Sequence, residues 1–251
     1  MRPARAPGWL LVGLLWLQAA PSLASDPHAL WRIVHGGCEP DERAHGSPAP
    51  CALVDEAGGY AVLKDRAGRE QFLLIPLARI EGIEAPVLRD PGTADFFADA
   101  WAHMDLVEQR LGRRLPREDL SVAVNSAYGR SQDQLHLHMD CLRRDVRDRL
   151  RALAGGIGPH WASLPGTLAG QRYRALRIGQ PTLDAAHDPF RLLARSLGEG
   201  ERAMGRHTLV LVGTVAPRPG FILLDGEADL LRLDRGAGED LQDHACAVAG
   251  G

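Results

Sequence analysis

The sequence predicts one α+β domain, an antiparallel sheet covered by two main helices, and three patterns carry that prediction. Apolar runs at residues 59–64 and 71–77 flank a polar turn, the signature of a hairpin. Phe96, Phe97, Ala100, Trp101, Met104, Val107 and Leu111 recur at helical spacing. Residues 207–215 and 220–224 pair around Ala216-Pro-Arg-Pro as a second hairpin. No internal repeat and no long linker divides the 251 residues. A composition of 45% hydrophobic and 24% charged residues is that of a globular chain, which excludes a disordered or collagen-like one. A formal charge of -3 lacks the basic excess that a nucleic-acid partner requires.

In chain order, residues 27–34 allow one or two helical turns, and 36–52 read as a loop punctuated by Gly and Pro. The helix at 93–112 starts from Thr93 as N-cap, with Asp95 in its first turn, and its aromatic face is core. A strand at 120–125, a polar loop at 126–133 and a strand at 134–141 follow. Residues 143–154 form a helix stopped by Gly155-Gly156, 171–178 a strand, and 188–205 the second long helix. The remainder ends in a flexible glycine-rich tail.

The N-terminus carries Arg2 and Arg5, an apolar run from Trp9 to Ala20 and the small-x-small pattern Ser22-Leu23-Ala24. Residues 1–24 therefore read as an export signal or N-terminal membrane anchor, and 25–251 as the single folded domain. The run is shorter than the ~20 residues that span a bilayer comfortably, which by itself favours cleavage. Cys38, Cys51, Cys141 and Cys246 form an even set in a chain bound for an oxidising compartment. Three pairings are open; the favoured one joins Cys38 to Cys51 across a short loop and Cys141 to Cys246, tying the tail to the middle of the fold. None of the four sits in a Cys-x2-4-Cys pair, the spacing of a zinc site.

Side chains alternate faces along a strand, so Gln134, His136, His138 and Asp140 share one side of 134–141, while Leu135, Leu137, Met139 and Cys141 share the other. Two imidazoles in a row after a glycine-containing loop point to a cleft. The bland alternative is a pair of surface histidines. Three chemistries fit the pattern: metal ligation by His136 and His138 with Asp140 or another of the ten histidines as third ligand, paired general acid and base catalysis, and nucleophilic attack of one imidazole on phosphorus.

The run from Asn125 through Gly129, Ser131, Gln132 and Gln134 to His136-Leu-His138 resembles the signature of the histidine triad superfamily. Gly59-Tyr-Ala-Val-Leu-Lys-Asp, Leu74-Ile-Pro, the spacing of Asp90-Pro91 and Phe96-Phe97, and Cys141 directly behind the motif extend the likeness to the bacterial CDP-diacylglycerol pyrophosphatase family, over about Trp31 to Cys246. The resemblance implies a histidine-triad-like sheet and hydrolysis of CDP-diacylglycerol to CMP and phosphatidate through a nucleotidyl-histidine. It makes His136 the nucleophile, held at its second nitrogen by an acceptor such as a backbone carbonyl. A protonated His138 would face a phosphoryl oxygen, with Asn125, Ser131, Gln132 and Gln134 as neutral donors to the substrate. Gln134 departs from the pattern, standing where the first triad histidine is expected. The resemblance implies no metal or cofactor, a membrane surface as partner, and an inner-membrane location with the catalytic domain on the periplasmic side, or a cleaved periplasmic protein as second choice. A soluble nucleotide diphosphate substrate and a non-enzymatic metal-binding protein are the competing readings. The sequence leaves the oligomeric state open.

Overall fold

The computed structural model describes residues 26–198 and 201–250. The predicted signal or anchor, residues 1–24, lies outside them. Helix α1 (Ala29–Ile33) passes through one wide turn at Val34–Cys38 into α2 (Glu39–His45), where the sequence predicts a loop from Gly36 onward. Tertiary packing overrides the low helix propensity of Gly36-Gly37. Val34 and Cys38 are fully buried against Ala61, Leu63, Leu73 and Ile75, and Cys38 is disulfide-bonded to Cys51. Gly46, at φ 61°, ends α2 in the left-handed conformation that glycine adopts without strain.

Strands β1 (Leu53–Asp55), β2 (Tyr60–Lys64) and β3 (Phe72–Pro76) form an antiparallel meander that contains the predicted hairpin. The predicted helix at 93–112 is two helices, α3 (Phe96–Ala102) and α4 (Asp105–Leu111). His103 leaves the helical region at φ -102°, ψ 15°, and its Nε2 meets Tyr60 Oη at 2.9 Å. The N-cap is Asp95 rather than Thr93: its Oδ1 accepts from the backbone N–H groups of Phe97 and Ala98 at 3.1 and 3.0 Å.

Next come β4 (Leu120–Val124), β5 (Leu137–Cys141), α5 (Arg144–Leu153), β6 (Ala162–Ser163), β7 (Tyr173–Ile178), α6 (Pro189–Leu197), α7 (Glu201–Met204), β8 (His207–Thr214) and β9 (Gly220–Glu227). The predicted second long helix stops at Gly198, at φ 70°. Among the described residues one sheet runs in the order β1-β2-β3-β5-β4-β8-β9-β7-β6, with every pairing antiparallel. This is the α+β class that the two hairpins predict. The tail is not flexible as far as Gly250: Cys246 is bonded to Cys141, and Val248 and Ala249 are buried.

The two faces of this sheet differ. One is a continuous apolar layer in which Val62, Leu74, Leu137, Met139, Val122, Leu211 and Leu223 pack beneath α3, α4 and α6, so three helices replace the two that were expected. The opposite face holds two separate apolar clusters. Ala61, Leu63, Leu73 and Ile75 lie under α1 and the Val34–Cys38 turn at one end; Ala123, Val210, Val212 and Ile222 lie under α5 at the other. His138 pairs across the ladder with Leu73 on β3 and Ala123 on β4, and directly paired residues point to the same face. A polar strip on β5 therefore runs between the two clusters.

Candidate active site

The residues that follow Asn125 form a loop, and hydrogen-bonded strand pairing of β5 begins only at Leu137, three residues later than the alternation predicts. The alternation itself extends back to the loop. Leu135, Leu137, Met139 and Cys141 belong to the apolar core, while Gln134, His136, His138 and Asp140 are equally buried on the other side.

Buried polar groups need partners, and those of His136 decide what it can do. Its Nδ1 lies 2.8 Å from the carbonyl oxygen of Gln134, which can only accept, so Nδ1 carries the hydrogen and Nε2 holds the free lone pair. Burial, reinforced by the neighbouring His138, pushes His136 down to about 4, so the ring is neutral at pH 7. The second ring stands edge-on to the first, with centroids 4.9 Å apart. Burial also lowers His138 to about 4. The resemblance implies an imidazolium at this position, whereas burial favours the neutral ring. The Gln71 amide donates to His138 Nδ1 at 3.0 Å, which leaves the hydrogen on Nε2, a buried donor without a protein partner.

The C-terminal segment covers the strip. Glu239 Oε2 lies 3.3 Å from His138 Nδ1, and its Oε1 accepts from Asn125 Nδ2 at 2.7 Å. Gln242 donates to the His138 carbonyl at 3.0 Å and to Ser121 Oγ at 3.1 Å. His244 Nδ1 meets Asp140 Oδ2 at 2.7 Å, a contact that raises the imidazole above its ordinary value. Asp140 also accepts from the backbone N–H of Cys141 at 2.7 Å and is fully buried, so it supports the strip from behind.

His136 and His138 thus adjoin, and Asn125 reaches them through Glu239. The other sequence candidates are engaged elsewhere. Gln134 donates to the carbonyls of Pro76 and Ala78, both at 2.9 Å, bracing β5 against the end of β3, and its Oε1 is buried without a partner. Gln132 accepts from the backbone of Leu30 at 3.1 Å and donates to that of Asp26 at 2.9 Å, tying the loop to the N-terminal helix. Ser131 is exposed on that loop. No cluster of three or more His, Cys, Asp or Glu groups suited to a metal ion occurs among the described residues.

Gln71, Glu239, Gln242 and His244 were not singled out from the sequence. Gln71 had a local signal, a polar residue in register with Leu73 and Ile75 on an otherwise apolar strand. The other three had only a distant one: they precede Cys246, whose pairing with Cys141 ties that segment to the back of β5.

The family model for CDP-diacylglycerol pyrophosphatase matches residues 25–250. The chain belongs to that family. The CDP-diacylglycerol pyrophosphatase of Yersinia pestis is 41% identical over 224 residues, covering 89% of this chain and 86% of that protein. The CDP-diacylglycerol pyrophosphatase match spans both sheet ends, the histidine strip and the covering tail.

Proposed function

We propose that the chain hydrolyses CDP-diacylglycerol to CMP and phosphatidate, with His136 as a covalent nucleophile and the centre of the sheet as a histidine-triad-like site. One observation supports this most: in a member of the pyrophosphatase family, His136 is neutral and its Nδ1–H is pinned by a carbonyl, so the Nε2 lone pair is left to attack. Nε2 forms a bond to the phosphorus of the CMP half as the bond from that phosphorus to the phosphatidate oxygen breaks, and phosphatidate leaves with the electron pair. Water then attacks the cytidylyl-histidine. The P–N bond breaks, CMP leaves with the water oxygen, the lone pair returns to Nε2, and the proton given up by the water passes to solvent.

In this reaction Nε2–H of His138, which has no partner within the protein, donates to a phosphoryl oxygen. Glu239, whose Oε2 lies 3.3 Å from Nδ1, places a carboxylate beside the same ring. Asn125 holds Glu239 in place, and Gln134 sets the carbonyl to which His136 donates. Ser131 and Gln132, at the rim, are proposed to meet the substrate only if the loop opens. Residues 25–251 form the catalytic domain of an exported, disulfide-bonded protein that works against a membrane on the periplasmic side, with residues 1–24 as its leader or anchor.

The test is release of CMP from CDP-diacylglycerol in detergent with EDTA present, comparing the full chain with His136→Ala. Release by the wild type and none by the variant is expected. An active His136→Ala variant would sink the nucleophile assignment.

A further inference from the structure

Six large apolar side chains stand exposed among the described residues, and three of them fall within four consecutive positions: Leu230, Leu231 and Leu233, exposed by 51%, 98% and 88%. They tip the loop that follows β9. Single exposed leucines need no explanation, but three on one tip do. Leu233 is also held at φ 60°, a conformation that costs a branched residue free energy and that glycine would adopt without strain. The loop is closed by the backbone pairing of Asp229 with Asp234, and Asp234 is buried, accepting from the N–H of Gly236 at 2.8 Å.

The acids of this segment are engaged. Glu227 pairs with Arg206 at 3.0 Å and Asp229 with Arg232 at 3.2 Å, while the exposed Arg235 guanidinium has no partner among the described residues. Tyr128, also exposed, stands on the adjoining loop, whose Gly129 packs against the backbone of Arg235 and Gly236. Apolar tips flanked by arginine and an aromatic ring are the composition of a segment that enters a lipid interface.

Its position relative to the site is fixed by four contacts. Ser126 N donates to Gly236 O at 2.8 Å, and Ser126 Oγ donates to Arg235 O. Three residues further along, Glu239 joins Asn125 to His138. The tip and the cover of the histidines are therefore one continuous stretch of chain.

We infer that the Leu230–Arg232 turn and Leu233 dock the protein on a phospholipid bilayer, bringing the histidine strip to the depth at which a lipid-borne pyrophosphate lies. This rests on the proposed action on CDP-diacylglycerol, whose acyl chains keep it in a bilayer. Docking raises the rate on a membrane substrate and leaves the chemistry on a dissolved one untouched.

The test uses the full chain and the double variant Leu231→Ser with Leu233→Ser. Each assays long-chain CDP-diacylglycerol in phosphatidylcholine vesicles containing phosphatidylglycerol, and a dibutyryl analogue dissolved as monomer. Turnover on vesicles is expected to fall at least about tenfold, since each leucine withdrawn from lipid costs a transfer free energy of that order, and turnover of the dissolved analogue to stay unchanged. An environment-sensitive fluorophore on Leu231→Cys is expected to shift to the blue on adding the same vesicles without substrate. Equal rates for variant and wild type on vesicles, an equal loss on both substrates, or no spectral shift overturns the inference; loss on both with a change of oligomeric mass would assign the tip to a second copy. A wild type inactive on both substrates, with the blue shift intact, would defeat the proposed activity and not the docking.

Discussion

The two sides of β5 are buried to the same degree and stabilised by opposite means. Leu135, Leu137, Met139 and Cys141 are held by contact with the core beneath α3, α4 and α6. Gln134, His136, His138 and Asp140 are held by hydrogen bonds to Pro76, Ala78, Gln71, Gln242 and His244, and Glu239 adjoins His138. On the apolar side a neighbour can be any side chain of the right volume. On the polar side each partner must present a particular atom, and four buried atoms among these residues have none: His138 Nε2 and the side-chain oxygens of Gln71, Gln134 and Gln242. His138 Nε2 is the one donor among these four, and an unpaired buried donor marks the place where a ligand oxygen belongs.

Substituting one residue on each side would break this comparison if it is wrong. His138→Ala is expected to lower kcat on CDP-diacylglycerol by about a hundred- to a thousandfold, the loss seen when one donor to a developing oxyanion is removed, with a smaller effect on stability. Met139→Ala, one residue along and equally buried, is expected to cost about 2–5 kcal/mol in denaturant unfolding, while the folded enzyme keeps its kcat. Similar losses of both quantities in both variants would mean that the two sides are not separable.

The pH dependence sharpens the same contrast with a smaller effect. Protonation removes the nucleophilic lone pair of His136, so the rate falls as pH drops through the folded value. Because burial lowers that value from 6.5 to about 4, kcat/KM is expected to stay level from neutral pH down to about 5 and to fall only near 4. Stability follows the same sign: the unfolded chain binds a proton near 6.5 and the folded one near 4, so stability is lost as pH falls across that window. An acid limb centred at 6.5 in the free enzyme would show that the histidines are solvated.

The histidine strip was legible because strand alternation has period 2 and acts locally: eight residues sufficed to separate His136 and His138 from Met139 and Cys141. Its cover was not, because Glu239 and Gln242 lie about a hundred residues away in a stretch with no periodicity, positioned by tertiary contacts and the Cys141–Cys246 disulfide. The disulfide pairing favoured among the three that the sequence leaves open is the one the structure shows. The misjudged elements share a cause. Gly36-Gly37 became helical because Val34 and Cys38 pack on β2 and β3, and the helix at 93–112 broke at His103, whose ring bonds Tyr60. In each case a contact distant in sequence outweighed local propensity.

The most direct measurement is to quench the wild type during turnover of CDP-diacylglycerol and map the nucleotidyl group by mass spectrometry of its peptides. CMP bound to His136, and absent from His136→Ala, is the predicted result. Turnover with no adduct at any quench time, or with CMP on another residue, would contradict a covalent His136 and point to direct attack by water or to a different nucleophile.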